Sequence, residues 1–387
     1  MNQIVKAEKF VLAPDSFKES MSAKEVCQAM EEGIRRIYPR AECIHVPMAD
    51  GGEGTLQALV DATKGEVFYK EVTGPLGKSV LARYGVLGDG QTAVIETAEA
   101  AGLALVPMEK RNPLITTTYG VGELIKAALD RKVSRLMIAI GGSATNDAGV
   151  GMLQALGASF QDKEGKEIGF GGLEVGKIER IDLSQMDKRL SKVNIEVACD
   201  VTNPLTGPNG ASYVFAKQKG ATKEMIILLE DALSHFAEVT SHILGREIHH
   251  LKGAGAAGGL GAALAGFCEG QLVPGIDLVV KYAGLEEKLK GASVVFTGEG
   301  SIDEQTQYGK TITGVAKAAK QMGIPVIAIG GRVTEESRVL YEMGVSAILG
   351  ITPSAMTLDE AIAKGKEHMA RTVENVCRLL LVLADHS

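Results

Sequence analysis

Apolar residues near the amino terminus recur first as a short run and then at helical spacing. The run occupies residues 10–13, and a helix is predicted to begin at Ser22, because Ser22 and Glu25 have the spacing of a capping box. Beyond that box, apolar residues recur every three or four positions, at Val26, Met30, Ile34 and Ile37.

A second strand and helix follow at once. Ile44, Val46 and Met48 alternate with other residues, as in a strand, and a glycine loop occupies residues 49–55. Helical spacing then resumes at Leu56, Leu59, Val60 and Thr63. The order strand, helix, strand, helix predicts a parallel sheet.

The carboxyl-terminal part repeats this rhythm. Its predicted elements are a strand at 293–300, a helix at 311–323, a strand at 324–331, a helix near 335–343 and a strand at 345–351. A long terminal helix then opens with a second capping box, Thr357 and Glu360.

These two ends of the chain together supply enough strands for one doubly wound, five-stranded sheet, whereas neither end does so alone. We therefore predict one α/β domain from residues 1–75 and 285–387, with a second domain, 76–284, inserted into it. The middle has shorter strands, in SVLARYGVL, TAVIETA, RLMIAI and VNIEVAC, and predicted helices at 121–131, 148–157 and 222–244. This mixture favours a second α/β domain with a mixed sheet.

Composition limits the partners and the compartment. The 41 Lys and Arg residues against 48 Asp and Glu give a net charge of −7, so neither nucleic acid nor an anionic membrane is expected as a partner. Five scattered cysteines, a start without a signal-peptide core and the lack of a long apolar window predict a cytoplasmic protein with reduced thiols. The sequence leaves the oligomeric state open, with a homodimer as one alternative.

The 47 glycines cluster where predicted strands end. Ligands of open α/β sheets bind outside the carboxyl ends of the strands, so these loops are the candidates for chemistry. Five of them combine turn-forming residues with polar groups: PDSFKES (14–20), ADGGEGT (49–55), IGGSATNDAG (140–149), CDVTNPLTGPNGA (199–211) and TGEGSIDEQTQYGKT (297–311).

In the first loop, Asp15, Ser16 and Lys18 precede a capped helix. An anion there would meet backbone N–H groups, the positive end of the helix and an ammonium group. The alternative is that Asp15 and Ser16 only close a turn. In the second loop, Asp50 is the stronger candidate for contact with substrate or metal, while Glu53 falls in the first helical turn.

The third loop resembles a phosphate-binding nest. Gly141 and Gly142 permit unusual backbone angles, and Ser143 and Thr145 add hydroxyl donors before a helix. Asp147 is either a Mg²⁺ ligand or the cap of that helix.

In the fourth loop, Asp200 follows a predicted strand and Asn203 comes three residues later. A carboxylate with a nearby amide oxygen suits a hard cation or a general base, and a simple turn before Pro204 is the alternative.

Other motifs are weaker. GKT at 309–311 lacks the earlier glycine of a Walker A loop, since position 304 is Glu. GAGAAG at 253–258 matches the dinucleotide fingerprint, but GREIHHLK before it is a poor strand. Four histidines lack zinc spacing: His235 and His242 are assigned to a solvated helix face, and His249 and His250 lie beyond that helix.

Glycine-rich loops, candidate metal carboxylates and two lysines are the groups that phosphoryl transfer uses, because that chemistry depends on positioning and charge neutralisation. The residues alone therefore predict a Mg-nucleotide-dependent kinase of a small anion.

Nine segments, in order, resemble the motifs of bacterial glycerate kinases of the type I family. They are APDSFKES, MADGGEGT, VTGPLG, NPLITTTYG, IGGSATND, ACDVTNPLTGPNGAS, KQKGAT, GAGAAGGLGA and TGEGSID, and the resemblance runs from about residue 8 to 380. It implies transfer of the ATP γ-phosphate to D-glycerate with Mg²⁺, usually giving 2-phosphoglycerate. It also implies a flavodoxin-like domain made from both chain ends and an inserted α/β domain.

The resemblance also supplies site candidates without assigning a role to each, so the roles that follow are hypotheses. Those for substrate binding are Asp15, Ser16, Asp50, Glu53, Glu299 and Asp303. Those for nucleotide binding are Gly141, Gly142, Ser143, Thr145, Asn146, Lys219, Gly255 and Gly258. As hypotheses on roles, Lys18 neutralises charge, Asp200 acts on the glycerate hydroxyl as a base or through Mg²⁺, and Asp147 is the second candidate metal ligand.

The chain departs from the family pattern at Ser301, where arginine is common, and at Tyr308, where histidine is common. Loss of an arginine removes a bidentate partner for phosphate or carboxylate. The rival interpretations are a kinase of another small hydroxy acid, an NAD-linked oxidoreductase using GAGAAG, and a non-catalytic binding protein.

Overall fold

The computed structural model describes residues 8–385. Its strands are β1 (Lys9–Leu12), β2 (Glu42–His45), β3 (Glu66–Thr73), β4 (Ser79–Val86), β5 (Thr92–Glu96), β6 (Arg135–Ala139), β7 (Ser159–Gln161), β8 (Arg180–Asp182), β9 (Asn194–Ala198), β10 (Gln271–Val273), β11 (Val294–Ile302), β12 (Val326–Val333) and β13 (Ala347–Gly350).

The α-helices of the same residues are α1 (Ala23–Arg35), α2 (Thr55–Thr63), α3 (Thr97–Ala101), α4 (Tyr119–Asp130), α5 (Val150–Ala155), α6 (Gly172–Val175), α7 (Ala211–Phe215), α8 (Lys223–Leu244), α9 (Leu260–Phe267), α10 (Gly275–Tyr282), α11 (Leu285–Leu289), α12 (Thr311–Gln321), α13 (Leu358–Ala363) and α14 (Gly365–Asp385). No helix within residues 8–385 combines the length and the apolar character that crossing a membrane requires.

The described residues divide into two compact units. Unit 1 comprises those within 1–50, 57–64 and 276–387, and unit 2 comprises 51–56 and 65–275. The chain passes from the first unit to the second between Asp50 and Gly51, inside the ADGGEGT loop. The domain bounds at residues 75 and 285 stay a prediction.

Unit 1 contains a five-stranded sheet in the order β13-β12-β11-β1-β2, and each neighbouring pair is parallel. The interior strand β1 pairs with strands from both ends of the chain, Val11 lying opposite Ile44 on one side and Val295 on the other. This is the flavodoxin-like order, in which the connections change direction between β1 and β11. The doubly wound sheet built from both chain ends is thereby confirmed.

Local signals and close packing fix the helices of unit 1. Both predicted capping boxes are present, at the starts of α1 and α13. Helices α1 and α14 approach so closely that a β-carbon on Gly33 would lie 2.3 Å from the carbonyl oxygen of Ala370. Beneath them, the Phe10 and Phe296 rings stack with centroids 6.1 Å apart.

Two predicted helices of unit 1 differ in the structure. The segment near 335–343 is a 3₁₀ helix, Glu335–Tyr341, because it is too short for several α-helical turns before Gly344. The terminal helix is divided at Lys364 into α13 and α14. A β-carbon at Gly365 would lie 2.3 Å from the Ser20 hydroxyl, which donates to the carbonyl of Ile362, so the chain bends there around Ser20.

Unit 2 contains a six-stranded mixed sheet in the order β10-β9-β6-β5-β4-β3. The first four strands are parallel to one another, and β4 runs antiparallel to both of its neighbours, β5 and β3. The predicted mixed sheet is therefore confirmed. Because β5, β6, β9 and β10 are parallel, their carboxyl ends meet at one edge, and the loops that follow them form the candidate site.

Candidate functional site in each unit

The loop after β6 has the backbone of a nest. Gly142, Ala148 and Gly149 all have positive φ, at 71°, 53° and 71°. The loop is held by backbone hydrogen bonds, since Leu103 N–H donates to the Gly142 carbonyl at 2.9 Å and Ala144 N–H donates to that of Ala101 at 2.8 Å. Such a turn presents N–H groups that suit an anion.

Both carboxylate oxygens of Asp147 accept hydrogen bonds from nearby groups of the chain. Its Oδ2 accepts from the N–H and hydroxyl of Thr118, both at 2.8 Å, and from the Gly151 N–H at 3.4 Å. Its Oδ1 accepts from the Gly149 N–H at 3.3 Å. Burial raises the pKa of this carboxyl. These contacts favour the capping alternative for Asp147 over a role as metal ligand.

Lys219 lies beside this loop and is almost fully buried. Its Nζ donates to the Thr145 carbonyl at 2.6 Å and to the Ser143 hydroxyl at 3.2 Å. Burial lowers the pKa of Lys219 to about 7, against the charge of Asp147, which acts in the opposite direction. This amine fixes the loop and reaches the pocket described next.

A pocket of about 230 Å³ opens at the carboxyl edge of the unit 2 sheet. Its lining includes several predicted positions from distant parts of the chain, namely Gly141, Gly142, Ser143, Asp200 and Lys219, together with Gly51, Gly52 and Gln218. The pocket therefore joins backbone donors, a hydroxyl, an amine and a carboxylate in one small space.

Asp200 is exposed at the wall of this pocket, directly after β9. Its Oδ1 accepts the backbone N–H of Gly275 at 2.8 Å, which orients the carboxylate. The side-chain amide of Asn203 is oriented by a hydrogen bond within the loop, because its Nδ2 donates to the Asn209 carbonyl at 2.8 Å.

Other predicted nucleotide contacts lie behind the pocket. The lining includes neither Thr145 nor Asn146, and Thr145 Oγ1 and Asn146 Oδ1 are buried without a hydrogen-bond partner among the described residues. Gly255 and Gly258 also lie outside the lining. A β-carbon on either glycine would lie 2.1–2.2 Å from a carbonyl oxygen, so both allow close packing of loops.

The order of elements around residues 253–258 excludes the dinucleotide-binding alternative. That fingerprint requires a strand before its glycines, but residues 253–258 follow a loop after α8 and lead into a 3₁₀ helix and α9. The fingerprint also needs an acidic residue about twenty positions further on, at the end of a strand. The residue at that spacing, Asp277, lies in α10 instead.

The histidines lie along the chain as predicted. His235 and His242 belong to α8, and His249 and His250 lie beyond its end. His235 is partly buried, with its Nε2 2.6 Å from the Ile178 carbonyl oxygen. With Glu247, His249 and His250 place one potential metal-ligating atom each within 4.8 Å of one another.

Unit 1 has its own group of acidic residues, where the winding of the sheet changes direction. Asp15 follows β1 and accepts from the Thr311 hydroxyl at 2.6 Å and from the Ser16 N–H at 2.6 Å. Burial raises the pKa of Asp15 to about 6, and the charge of Asp50 adds to this.

Glu299 and Asp303 belong to the same group. Glu299 lies in β11 and accepts from the Thr306 hydroxyl at 2.5 Å, and burial raises its pKa to about 7. Asp303 caps a 3₁₀ helix by accepting the Gln305 N–H at 2.9 Å, and Ser301 donates to it at 3.2 Å. Ser301, in place of the family's arginine, thus belongs to a local cap.

Lys18 and Glu53 are the two remaining predicted residues with charged side chains. Lys18 is exposed and lines a larger pocket of unit 1, about 760 Å³, with Gly300, Arg332 and Met356. Glu53 is exposed in unit 2 and is absent from the lining of the smaller pocket.

Sequence reasoning missed Glu96 and Thr118. Glu96 ends an otherwise apolar strand and is buried, with its Oε1 accepting the Leu56 N–H at 2.7 Å. A carboxylate closing a buried strand was the available signal. The sequence carried no signal for Thr118, because its hydrogen-bond partner Asp147 is 29 residues away.

Comparison with known proteins places these features in a family. The glycerate kinase family model matches residues 10–381. The chain is 51% identical to a glycerate kinase of Bacillus subtilis (strain 168), over 95% of this chain and 96% of that protein. It is 49% identical to glycerate 2-kinase of Escherichia coli (strain K12), over 97% and 98%.

A solved structure agrees. The fold matches a crystal structure from Salmonella typhimurium LT2, named as a proposed glycerate kinase 2, with a TM-score of 0.90, 49% identity and coverage of 97% of this chain and 99% of that one. This protein belongs to the glycerate kinase family.

Proposed function

We propose that this protein transfers the γ-phosphoryl group of ATP to D-glycerate and yields 2-phosphoglycerate. The similar proteins from Bacillus subtilis and Escherichia coli carry the names glycerate kinase and glycerate 2-kinase. The observation that carries the proposal is the unit 2 pocket, where Gly141, Ser143, Lys219 and Asp200 meet.

Asp200 is the proposed general base. The Gly275 N–H holds one oxygen of the carboxylate, so the side chain is oriented before substrate arrives. As the glycerate oxygen attacks phosphorus, its hydroxyl proton passes to Asp200 and the bond to the ADP oxygen breaks. General-base catalysis of this kind contributes about 10²–10⁴ in rate.

The nest and Lys219 are proposed to neutralise the anion in the pocket. Gly141, Gly142 and Ser143 offer backbone and hydroxyl donors, and Lys219 adds a positive charge when protonated. Since burial lowers its pKa to about 7, a bound anion would favour the protonated amine. A pocket of about 230 Å³ suits one small polar group, such as a phosphate chain or glycerate, rather than a whole nucleotide.

The residues also suit Mg²⁺, which prefers oxygen ligands. As the alternative to the base role, Asp200 would hold the ion from the pocket wall, with the amide oxygen of Asn203 as the second candidate. Asp147 is a poorer ligand, because the chain's own donors already contact both of its oxygens. When bound, the ion neutralises the phosphate charge.

The acidic group of unit 1 supplies a second set of proposed substrate contacts: Asp15, Ser16, Asp50, Glu299 and Asp303, with Lys18 for charge. The raised pKa values of Asp15 and Glu299 are consistent with carboxyls that donate a hydrogen bond near neutral pH. Glu53, exposed in unit 2, stays a prediction.

Product analysis tests the proposal. The protein is incubated with Mg-ATP and a panel of hydroxy acids, and ³¹P NMR identifies the product. We expect D-glycerate to give 2-phosphoglycerate; preference for another hydroxy acid, or no turnover at all, would refute it.

Asp200→Asn then tests the base. We expect kcat to fall by about 10²–10⁴, whereas Asp231→Asn, an exposed carboxylate on α8, should retain wild-type kcat. If Asp200→Asn stayed within about tenfold of wild type, a loss below ~1.4 kcal/mol, Asp200 would not be the base.

A further inference from the structure

Glu96 links the end of a strand to the glycine loop that lines the pocket. It is the last residue of β5, and only 3% of it is exposed. Its Oε1 accepts the backbone N–H of Leu56 at 2.7 Å, and the backbone of Gly54 also hydrogen-bonds to the carboxylate. Leu56 lies in the first turn of α2, where N–H groups lack intrahelical partners, so Glu96 caps that turn from a distant strand.

The capped loop continues into the pocket wall. Gly51 and Gly52 line the pocket, and Gly51 has φ +95°. A β-carbon on Gly51 would lie 2.4 Å from the Cα of Gly275, so the two backbones touch. The N–H of Gly275 is the one that donates to Asp200. Contacts therefore run from Glu96 through residues 51–56 and Gly275 to Asp200.

Two charged groups face Glu96 from the elements around it, Arg83 of β4 and Glu99 of α3. They pair with each other, with Arg83 Nη2 2.6 Å from Glu99 Oε1. Burial raises the pKa of Glu96 to about 7, Glu99 adds to this, and Arg83 opposes it. Glu96 thus changes charge near neutral pH, and an ionised acceptor holds N–H groups more strongly than a neutral one.

We propose that Glu96 is a positioning residue for phosphoryl transfer: its carboxylate holds the loop at residues 51–56 against Gly275 and thereby orients Asp200. The catalytic part of this inference rests on the proposed function above. The Glu96 carboxylate acts on the loop backbone, at Leu56 and Gly54, and not on the substrate.

The test compares Glu96→Ala, Glu96→Gln and a matched control, Glu99→Gln. Turnover of D-glycerate is measured across neutral pH, and backbone amide exchange at residues 49–56 is measured by mass spectrometry. We expect Glu96→Ala to lower kcat/KM by about 10–100-fold, mainly through kcat, since small displacements of reacting groups have effects of that size. Exchange at residues 51–56 should become faster.

The conservative variant separates positioning from simple stability. Glu96→Gln keeps an oxygen acceptor, so we expect it to retain most of the wild-type kcat/KM. Because glutamine does not ionise, this variant should lack the rise in kcat/KM through about pH 7 that ionisation of Glu96 gives the wild type. Glu99→Gln should retain the wild-type exchange rates and should move that rise to lower pH, because it removes a charge that raises the pKa of Glu96.

Wild-type exchange at 51–56 and wild-type kcat/KM in Glu96→Ala would overturn the proposal. If Glu96→Ala fails to fold, Glu96→Gln decides, and an unchanged pH profile in that variant overturns it. Amide exchange needs no turnover. A wild-type protein without glycerate kinase activity would therefore refute the proposed function, while faster exchange in Glu96→Ala would still support the contact between Glu96 and the loop.

Discussion

Replacing Lys219 by Met should stabilise the protein at neutral pH while lowering its activity. Lys219 is 2% exposed, and burial lowers its pKa from 10.5 to about 7. At ~1.4 kcal/mol per pH unit, carrying this amine inside the fold costs roughly 5 kcal/mol. Its hydrogen bonds to Thr145 and Ser143 return about 1 kcal/mol each. Met fills a similar volume without the charge, so we expect a net gain on the order of 2–3 kcal/mol at pH 7.

The sign of the pH dependence follows from the same shift. Because the pKa of Lys219 is lower in the folded protein, the unfolded chain binds the extra proton between about pH 7 and 10.5, and the wild type gains stability from this group as pH rises through that window. The advantage of Lys219→Met should therefore be largest at or below pH 7 and should shrink as the pH rises.

Urea unfolding of both proteins at pH 7 and at pH 9.5 measures this difference, and a kinetic assay with Mg-ATP measures activity. Lys217→Met is the matched control, because Lys217 lies in the same 3₁₀ helix and is exposed. It should change neither quantity. A difference in stability between Lys219→Met and wild type that is constant with pH would refute the argument, as would full activity of the variant.

Three further substitutions test other contacts. Asp147→Asn should lower the free energy of unfolding by about 2–4 kcal/mol in a urea titration, because the amide keeps one acceptor oxygen and sets an NH₂ group against buried donors; a loss below about 1 kcal/mol would contradict the capping role. Gly51→Ala should raise KM and destabilise more than Gly54→Ala, because both glycines have positive φ but only Gly51 faces Gly275 at 2.4 Å; equal effects would exclude that contact. Asp15→Asn should gain stability relative to wild type as pH rises from 3.8 to about 6, and the difference should level off above that, because the folded protein holds the Asp15 proton in that window; urea titrations at pH 4, 6 and 7.5 would check it.

Local signals made most of the fold predictable. Ser22 with Glu25, and Thr357 with Glu360, marked helix starts that the structure contains, because a capping box is complete within four residues. The mixed sheet and the split doubly wound sheet followed from the alternation of apolar runs. The 3₁₀ helix at Glu335–Tyr341 did not, since its apolar spacing resembles that of an α-helix and only its length separates them.

The candidate site was less predictable, because its contacts join residues far apart in the chain. Glu96 and Leu56 are 40 residues apart, and Lys219 lies 74 residues from the carbonyl it contacts at Thr145. Spacing could nominate Lys219 but could not show that it is buried. Nor could it separate Asp200, which lies at the pocket wall, from Asp147, which lies behind it.

The carboxylates near this pocket fall into two groups. Asp200 lies at the pocket wall, whereas Asp147 and Glu96 hold the loops that form the wall. Asp147 and Glu96 accept backbone N–H groups that would otherwise be buried without partners, and each fixes one loop. Their own oxygens are thereby directed at the chain, whereas Asp200 reaches the pocket. Loss of a supporting carboxylate should therefore alter stability and loop exchange along with rate, while Asp200→Asn, which keeps an acceptor oxygen for the Gly275 N–H, should alter mainly the rate. Measuring stability, amide exchange and rate for each variant therefore shows whether a carboxylate supports a loop or acts in the pocket.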